Sequence, residues 1–286
     1  MRRMLGCMAT ALRDESPIFL RRRDLIAAGW SDRALRFAVE TGALLRPRAG
    51  VYLNADVSAD IVDACALGGR LACVSELARR GVFVMDSSVL HVHLHAPRLK
   101  RTALGRPTRR HWAQLRRQPH PSAVAVSPLD AVACAVRCQS PRAAVATIDS
   151  ALRNRVIDPG ELDELFGMLP RRYRVLRRLL DARAESGPES LVRVMLRTLG
   201  ASVELQVSIA TVGRVDFVVN GWLVVECDSA EHHASWDAQR RDRRRDRAAA
   251  ALGYATLRLI AEDIMWQPDE VREALVGILA SRPAKR

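Results

Sequence analysis

Residues 213–228 read Gly213-Arg214-Val215-Asp216-Phe217-Val218-Val219-Asn220-Gly221-Trp222-Leu223-Val224-Val225-Glu226-Cys227-Asp228. Two apolar runs meet at Asn220-Gly221, a strong hairpin signal, so two antiparallel strands are expected. Their register decides where the acids point. A two-residue turn at Asn220-Gly221 would set Asp216 opposite Val225 and put Asp216 and Glu226 on opposite faces. A three-residue loop, Val219-Asn220-Gly221, pairs Val218 with Trp222 and Asp216 with Val224. Asp216, Glu226 and Asp228 then share one face, and Val215, Phe217, Leu223, Val225 and Cys227 form an apolar set on the other. Register follows the pairing that gives one clean hydrophobic face, so the three-residue loop is expected.

Three carboxylates on one face repel each other and lose hydration unless a cation sits among them. A hard divalent ion with oxygen ligands, Mg²⁺ or Mn²⁺, suits Asp216, Glu226 and Asp228. The alternative is a salt-bridged strand using Arg214 or Arg258.

The surrounding segment has a definite element order. Ser186-Gly187-Pro188-Glu189 opens a helix with Leu191, Val192, Met195 and Leu199 at core spacing. Val203, Leu205, Val207 and Ile209 alternate with polar residues as a half-buried strand. After the hairpin come a helix over 235–252, a strand over 254–260 and a last helix over 269–280. The order α-β-β-β-α-β-α matches the core of the restriction-endonuclease-like fold.

Val215-Asp216-Phe217, Val225-Glu226-Cys227-Asp228, His232-His233 and Arg241-Asp242-Arg243, in this order, resemble a very-short-patch-repair-like endonuclease domain of the PD-(D/E)xK superfamily, widespread in bacteria. The resemblance runs from about residue 186 to 279. It implies that Asp216 and Glu226 bind metal, with Glu189 as an accessory acid. Asp228 and a nearby histidine complete the site, and Gln206 matches a recurrent polar position. The superfamily's lysine, two residues after the second acid, is Asp228 here, and no lysine lies between Lys100 and Lys285. A cation to steady the phosphorane charge must therefore come from His232, His233 or an arginine such as Arg241 or Arg244. Glu189 also fits a capping box with Ser186, so capping and metal assistance both stay open. His233, or else His232, suits a general base because imidazole titrates near working pH. The Arg240–Arg247 run, six Arg and two Asp, is a solvated self-paired helix face or a phosphate contact through Arg241 or Arg244.

Charge is unevenly distributed. Residues 1–185 carry 31 basic and 18 acidic side chains, a difference of +13, whereas residues 186–286 carry 14 of each. Capture of phosphate thus falls to the upstream region, although 43 of the 45 basic residues are Arg, which a GC-rich coding sequence also produces. Residues 17–53 read as helix, turn, helix and a short hairpin. One helix runs from Arg22 to Ala28, and Ser31 caps a second with Leu35, Val39 and Ala38 inward. This order resembles the winged-helix domain of AbiEi-type antitoxins. It implies Arg33 and Arg36 on the second helix, and Arg46 and Arg48 near the wing, as DNA-contacting residues. The alternative is a module for protein contact.

Residues 56–185 are mixed and mainly helical, with helices over 127–136 and 141–152 and a basic helix near 171–184. Val89 to His95 alternates as a strand with His91, His93 and His95 on one face. That pattern fits a metal site or, more simply, a solvated or lightly buried sheet surface. The six cysteines show no C-x-x-C, and Cys134 and Cys138 suit small core positions on one helix face. No apolar run reaches membrane-spanning length. The sequence is therefore expected to hold an α/β (α+β) protein of three parts: a winged-helix-like DNA-binding domain at 1–55, a basic connector at 56–185 and an endonuclease-like domain at 186–286. A cytoplasmic, metal-dependent DNA endonuclease follows, with DNA as partner, no membrane association and a homodimer left open. The alternative is a non-catalytic, antitoxin-like DNA-binding regulator that keeps the nuclease fold as a scaffold.

Overall fold

Asn220 and Gly221 both adopt left-handed backbone, φ 51° and 73°, and Trp222 N donates to the Val219 carbonyl at 3.1 Å. Glycine takes this conformation freely and asparagine tolerates it, which is why this pair reverses the chain here. The computed structural model describes residues 18–95, 104–228 and 236–281. It shows a mixed α+β protein that divides into two compact units, one of residues 1–79 and 86–134, the other of 80–85 and 135–286. Among the described residues no helix is long and apolar enough to cross a membrane.

The first unit begins with β1 (Leu20–Arg21), α1 (Arg22–Ala27), α2 (Asp32–Glu40), β2 (Leu44–Arg48) and β3 (Val51–Asn54), the strands ordered β1-β3-β2. Ser31 Oγ accepts from Ala34 N at 3.1 Å, the cap expected from sequence. Leu25, Leu35, Ala38, Leu44 and Tyr52 form a small core, with Val39 packed at its edge. Then follow α3 (Ala59–Ala66), β4 (Arg70–Leu71), α4 (Cys73–Arg79), β5 (Leu90–His93), β6 (Thr108–His111) and α5 (Pro128–Cys138). Strands β4, β5 and β6 make a second sheet, β5 antiparallel to β4 and parallel to β6. Of the solvated or lightly buried surface expected for β5, the structure shows a buried strand, with His91 and His93 6% and 7% exposed.

The second unit contains α6 (Pro141–Arg153), α7 (Leu162–Gly167), α8 (Gly187–Thr198), β7 (Val203–Ile209), β8 (Gly213–Val219), β9 (Leu223–Asp228), α9 (Trp236–Ala251), β10 (Ala255–Ile260), α10 (Ala261–Trp266) and α11 (Pro268–Ala280). Residues 171–179 form a 3-10 helix rather than the expected α-helix. The sheet order is β10-β9-β8-β7, with β9–β10 parallel and the other pairs antiparallel. Its two faces bury different sets. Phe217, Val219, Leu223 and Val225 pack with Leu191, Leu196, Ile264 and Leu275 of α8, α10 and α11. Val215, Val218 and Val224 pack with Ala249 of α9. Fully burying each such side chain contributes on the order of 1.5–3 kcal/mol, so both faces anchor the sheet.

One ion pair lies wholly inside. Arg193 of α8, 0% exposed, donates through Nη2 to Asp149 of α6 at 2.6 Å. Asp149 also accepts from Ser190 Oγ at 2.9 Å and Asp181 N at 2.8 Å, and Arg193 Nη1 donates to the Leu179 carbonyl. These bonds fix the helix that carries Glu189.

Candidate active site

The hairpin ladder pairs Val219 with Leu223, Val218 with Val224 and Phe217 with Val225. The loop is therefore Asn220-Gly221-Trp222, one residue later than expected. A three-residue loop does form and Asp216 does share a side with Glu226, but Asp216 falls level with Glu226 rather than Val224. The later loop follows from the turn itself, since both residues that tolerate positive φ sit at its start.

Regular pairing stops at Phe217/Val225. Beyond it, side chains replace the backbone ladder: Cys227 N donates to Asp216 Oδ2 at 2.8 Å, and Asp216 N donates to Glu226 Oε2 at 3.1 Å. On the other edge β7 is distorted at Gln206, whose φ is 53°, and the β7–β8 pairing skips Gln206/Asp216. A non-glycine residue held there costs of order 1 kcal/mol or more, and such positions cluster at functional sites. The distortion also breaks the expected alternation, so Val215 joins the Val218/Val224 cluster instead of the Phe217 face.

Glu189, in the first turn of α8, completes the group. Ser186 Oγ accepts from Glu189 N at 3.2 Å, half of a capping box. The carboxylate reaches elsewhere: its Oε2 accepts from Glu185 N at 2.7 Å and from Gln206 Nε2 at 2.9 Å. Glu189 is 5% and Glu226 7% exposed. Burial raises the Glu189 carboxyl above its ordinary range, against the Glu185 N–H and with help from the Asp216 charge. Burial likewise raises Asp216 against the Cys227 N–H, with Asp228 adding to it. Glu226 is raised by burial against the Asp216 N–H, and the Asp216 charge reinforces the shift. These are buried acids short of positive charge, the condition a divalent cation relieves.

Among the described arginines of the 240–247 run, Arg245 is the one that reaches Glu226. Arg245 Nη2 lies 2.9 Å from Glu226 Oε1, and the same side chain donates to the Val212 and Arg214 carbonyls at 3.1 and 2.6 Å. Arg241 and Arg244 are exposed. Helical phase was the available signal: Ala249, buried against the sheet, lies four residues after Arg245 and three after Asp246, so those two share its face. Asp228 is paired with an arginine from the neighbouring strand. Arg258 Nη1 donates to both its oxygens at 3.1 and 3.2 Å, and grips Asp246 at 3.2 and 3.1 Å through Nε and Nη2. Burial opposes the Arg258 charge, yet Asp246 and Asp228 hold its pKa above the ordinary guanidinium value. The salt-bridged alternative thus holds for Asp228 and not for Asp216. His232 and His233 lie outside the described residues.

The charge of Asp216 acts on both Glu189 and Glu226, with Gln206 and Arg245 as polar neighbours, on a strand pair that separates at the acids. The family model REase_MTES_1575, a restriction-endonuclease-like family, matches residues 189–279. Residues 189–279 are thus similar to restriction-endonuclease-like domains. The match begins at Glu189 and spans Asp216, Glu226 and Arg245. Neither the curated proteins nor the solved structures hold a significant match to the chain.

In the first unit the arginines expected to contact DNA, Arg33, Arg36, Arg46 and Arg48, are all exposed. Arg36 faces outward beside Phe37, which is 62% exposed, while Arg46 stacks 5.9 Å from the Tyr52 ring. Arg48 also lines a cleft of about 710 Å³ with Arg21, Arg70, His93 and Trp112.

Proposed function

We propose that this protein is a metal-dependent DNA endonuclease whose restriction-endonuclease-like domain hydrolyses phosphodiesters at Asp216, Glu226 and Glu189. The observation that carries the reading is the grouping of the buried Glu189 and Glu226 with the half-buried Asp216 where β8 and β9 part. Asp216 Oδ1 receives no hydrogen bond from the described residues, and all three acids are held above their ordinary pKa by burial. That donor set fits Mg²⁺ or Mn²⁺, hard ions that take carboxylate oxygens. When bound, such an ion polarises the scissile phosphate and lowers the pKa of an attacking water. Hydrolysis adds water across one P–O ester bond and leaves a phosphomonoester and an alcohol.

The protein's own groups have distinct parts. Asp216 and Glu226 hold the ion, and Gln206 orients Glu189 toward them. Arg245 supplies the fixed positive charge that the superfamily takes from lysine, and Asp228 becomes a ligand only if released from Arg258. His233, with His232 as its neighbour, is the candidate general base on sequence grounds. DNA is captured upstream, by Arg33 and Arg36 on α2 and by Arg46 and Arg48 at the β2–β3 wing, in keeping with the likeness to AbiEi-type winged helices. Arg241 and Arg244 add phosphate contacts from α9. The likeness of 186–279 to very-short-patch-repair-like domains supports the same chemistry.

Supercoiled plasmid incubated with Mg²⁺ or Mn²⁺ should be nicked by the wild type and left intact by Asp216→Ala. A second reading, a DNA-binding regulator with a retired nuclease, is favoured by one observation: an aspartate replaces the lysine and is locked by Arg258. Salt-sensitive DNA binding with no nicking under either metal would establish that reading and refute the first.

A further inference from the structure

Far from the carboxylates in sequence, helix α5, which carries the chain out of the first unit, joins two elements of that unit in a second set of metal-ligating side chains. Cys73 opens α4, His111 ends β6 and Cys134 lies on α5. Because α5 is one continuous helix to Cys138, that thiol follows Cys134 one turn later. One ligand atom from each of the four residues lies within 4.8 Å of all the others. A tetrahedral zinc site with bonds of about 2.3 Å to sulfur and 2.0 Å to nitrogen has ligand atoms about 3.5–3.8 Å apart.

We propose that Cys73, His111, Cys134 and Cys138 bind one structural Zn²⁺ as a Cys3His centre, independent of the proposed nuclease metal. The chemistry fits zinc rather than Mg²⁺, because thiolates and imidazole are soft or borderline ligands. Cys134-x-x-x-Cys138 has the ligand spacing of a zinc site, and four protein ligands leave no open position, as expected for a structural rather than a catalytic ion. Two further features point to a built site. His111 Nε2 lies 3.1 Å from Nδ1 of His91, the kind of outer hydrogen bond that fixes the orientation of a ligating imidazole. A metal would then take Nδ1 of His111. His91 is itself set by its backbone, since its N–H donates to Ser75 Oγ at 2.9 Å and its carbonyl accepts from Ala72 N at 3.0 Å, on either side of Cys73. Cys73 is held at φ 53°, a left-handed conformation that cysteine rarely adopts and that persists where surrounding contacts demand it. A metal at this point ties the start of α4 to the end of β6 and to α5, three elements far apart in sequence.

The full-length protein, purified under reducing conditions and dialysed, should retain one zinc per chain by elemental analysis. Replacement by Co²⁺ should give visible bands of tetrahedral cobalt and a thiolate-to-cobalt charge-transfer band with the intensity of three thiolates. That band should weaken in Cys134→Ser and vanish in the Cys134→Ser/Cys138→Ser protein. It should survive in Cys65→Ala, Cys227→Ala and Asp216→Asn, which leave the four ligands in place. His111→Cys should strengthen it by adding a fourth thiolate, a gain that misfolding does not produce. A wild type without zinc and without the charge-transfer band overturns the proposal. So does a band that depends on Cys227 or Asp216 instead, and either result leaves the nuclease reading to its own test.

Discussion

Replacing Arg193 with methionine should destabilise the second unit more than any surface change. The substitution keeps much of the volume and the helix propensity but removes the only cation beside Asp149 among the described residues. Asp149 is 1% and Arg193 0% exposed, so solvent cannot take over. Breaking a buried pair by deleting one partner costs about 3–5 kcal/mol, roughly a hundredfold to a few thousandfold in the folding equilibrium. Ser190 Oγ and Asp181 N still donate to Asp149, which favours the lower part of that range. Burial already holds the Asp149 carboxyl above its ordinary 3.8, and Arg193 is the first influence pulling it back. Without Arg193 the folded-state value rises further. The folded protein then binds the proton more tightly than the unfolded chain, so stability is full below pH 3.8 and is lost as pH rises through the folded-state value. Urea unfolding of wild type and Arg193→Met at several pH values measures this. The mutant's deficit should be largest near neutrality and shrink as the solution is acidified. A loss under 1 kcal/mol that is flat with pH would refute the argument.

Three further outcomes follow from the same geometry. Glu189, Asp216 and Glu226 all have raised carboxyl pKa values, so the metal-free protein should lose stability as pH rises above their ordinary values of 4.5, 3.8 and 4.5. Mg²⁺ should flatten that slope in thermal melts, and an identical slope with and without Mg²⁺ would tell against a shared cation site. Arg245→Met should leave the fold intact, since the pair is partly exposed, yet reduce plasmid nicking by tenfold or more if the guanidinium stabilises the transition state; unchanged nicking assigns it to packing alone. Gly187→Ala should lower stability by about 1–3 kcal/mol, because a Cβ there would stand 2.2 Å from the Phe83 ring. Circular dichroism during urea unfolding checks it, and a neutral result would mean the ring moves aside freely.

Much of the second unit was legible because its signals are local. Helix caps, strand alternation and the Asn220-Gly221 turn identify the order of elements around the sheet, and the pairing of two same-side acids survives a one-residue error in the loop. Three things were not legible. The departure of Val215 from its face depends on the Gln206 distortion, which no propensity encodes. Whether Arg258 or a metal takes Asp228 was left open, and only the parallel strand β10, which brings a residue 30 positions away beside it, decides for the pair. Arg245 was within reach, since counting back from buried Ala249 puts it on the sheet-facing side of α9. The Cys73–His111–Cys134–Cys138 group was invisible for a different reason: its ligands come from three elements, and only the last two share a local spacing.

The most direct test of the central claim is a crystal soaked in Mn²⁺ and measured for anomalous scattering. The account predicts one Mn²⁺ bonded at about 2.1 Å to oxygens of Asp216 and Glu226, with Glu189 beside it and the peak absent in Asp216→Ala. A saturating soak that leaves these carboxylates without anomalous density, or with density only at Asp228 and Asp246, would contradict it.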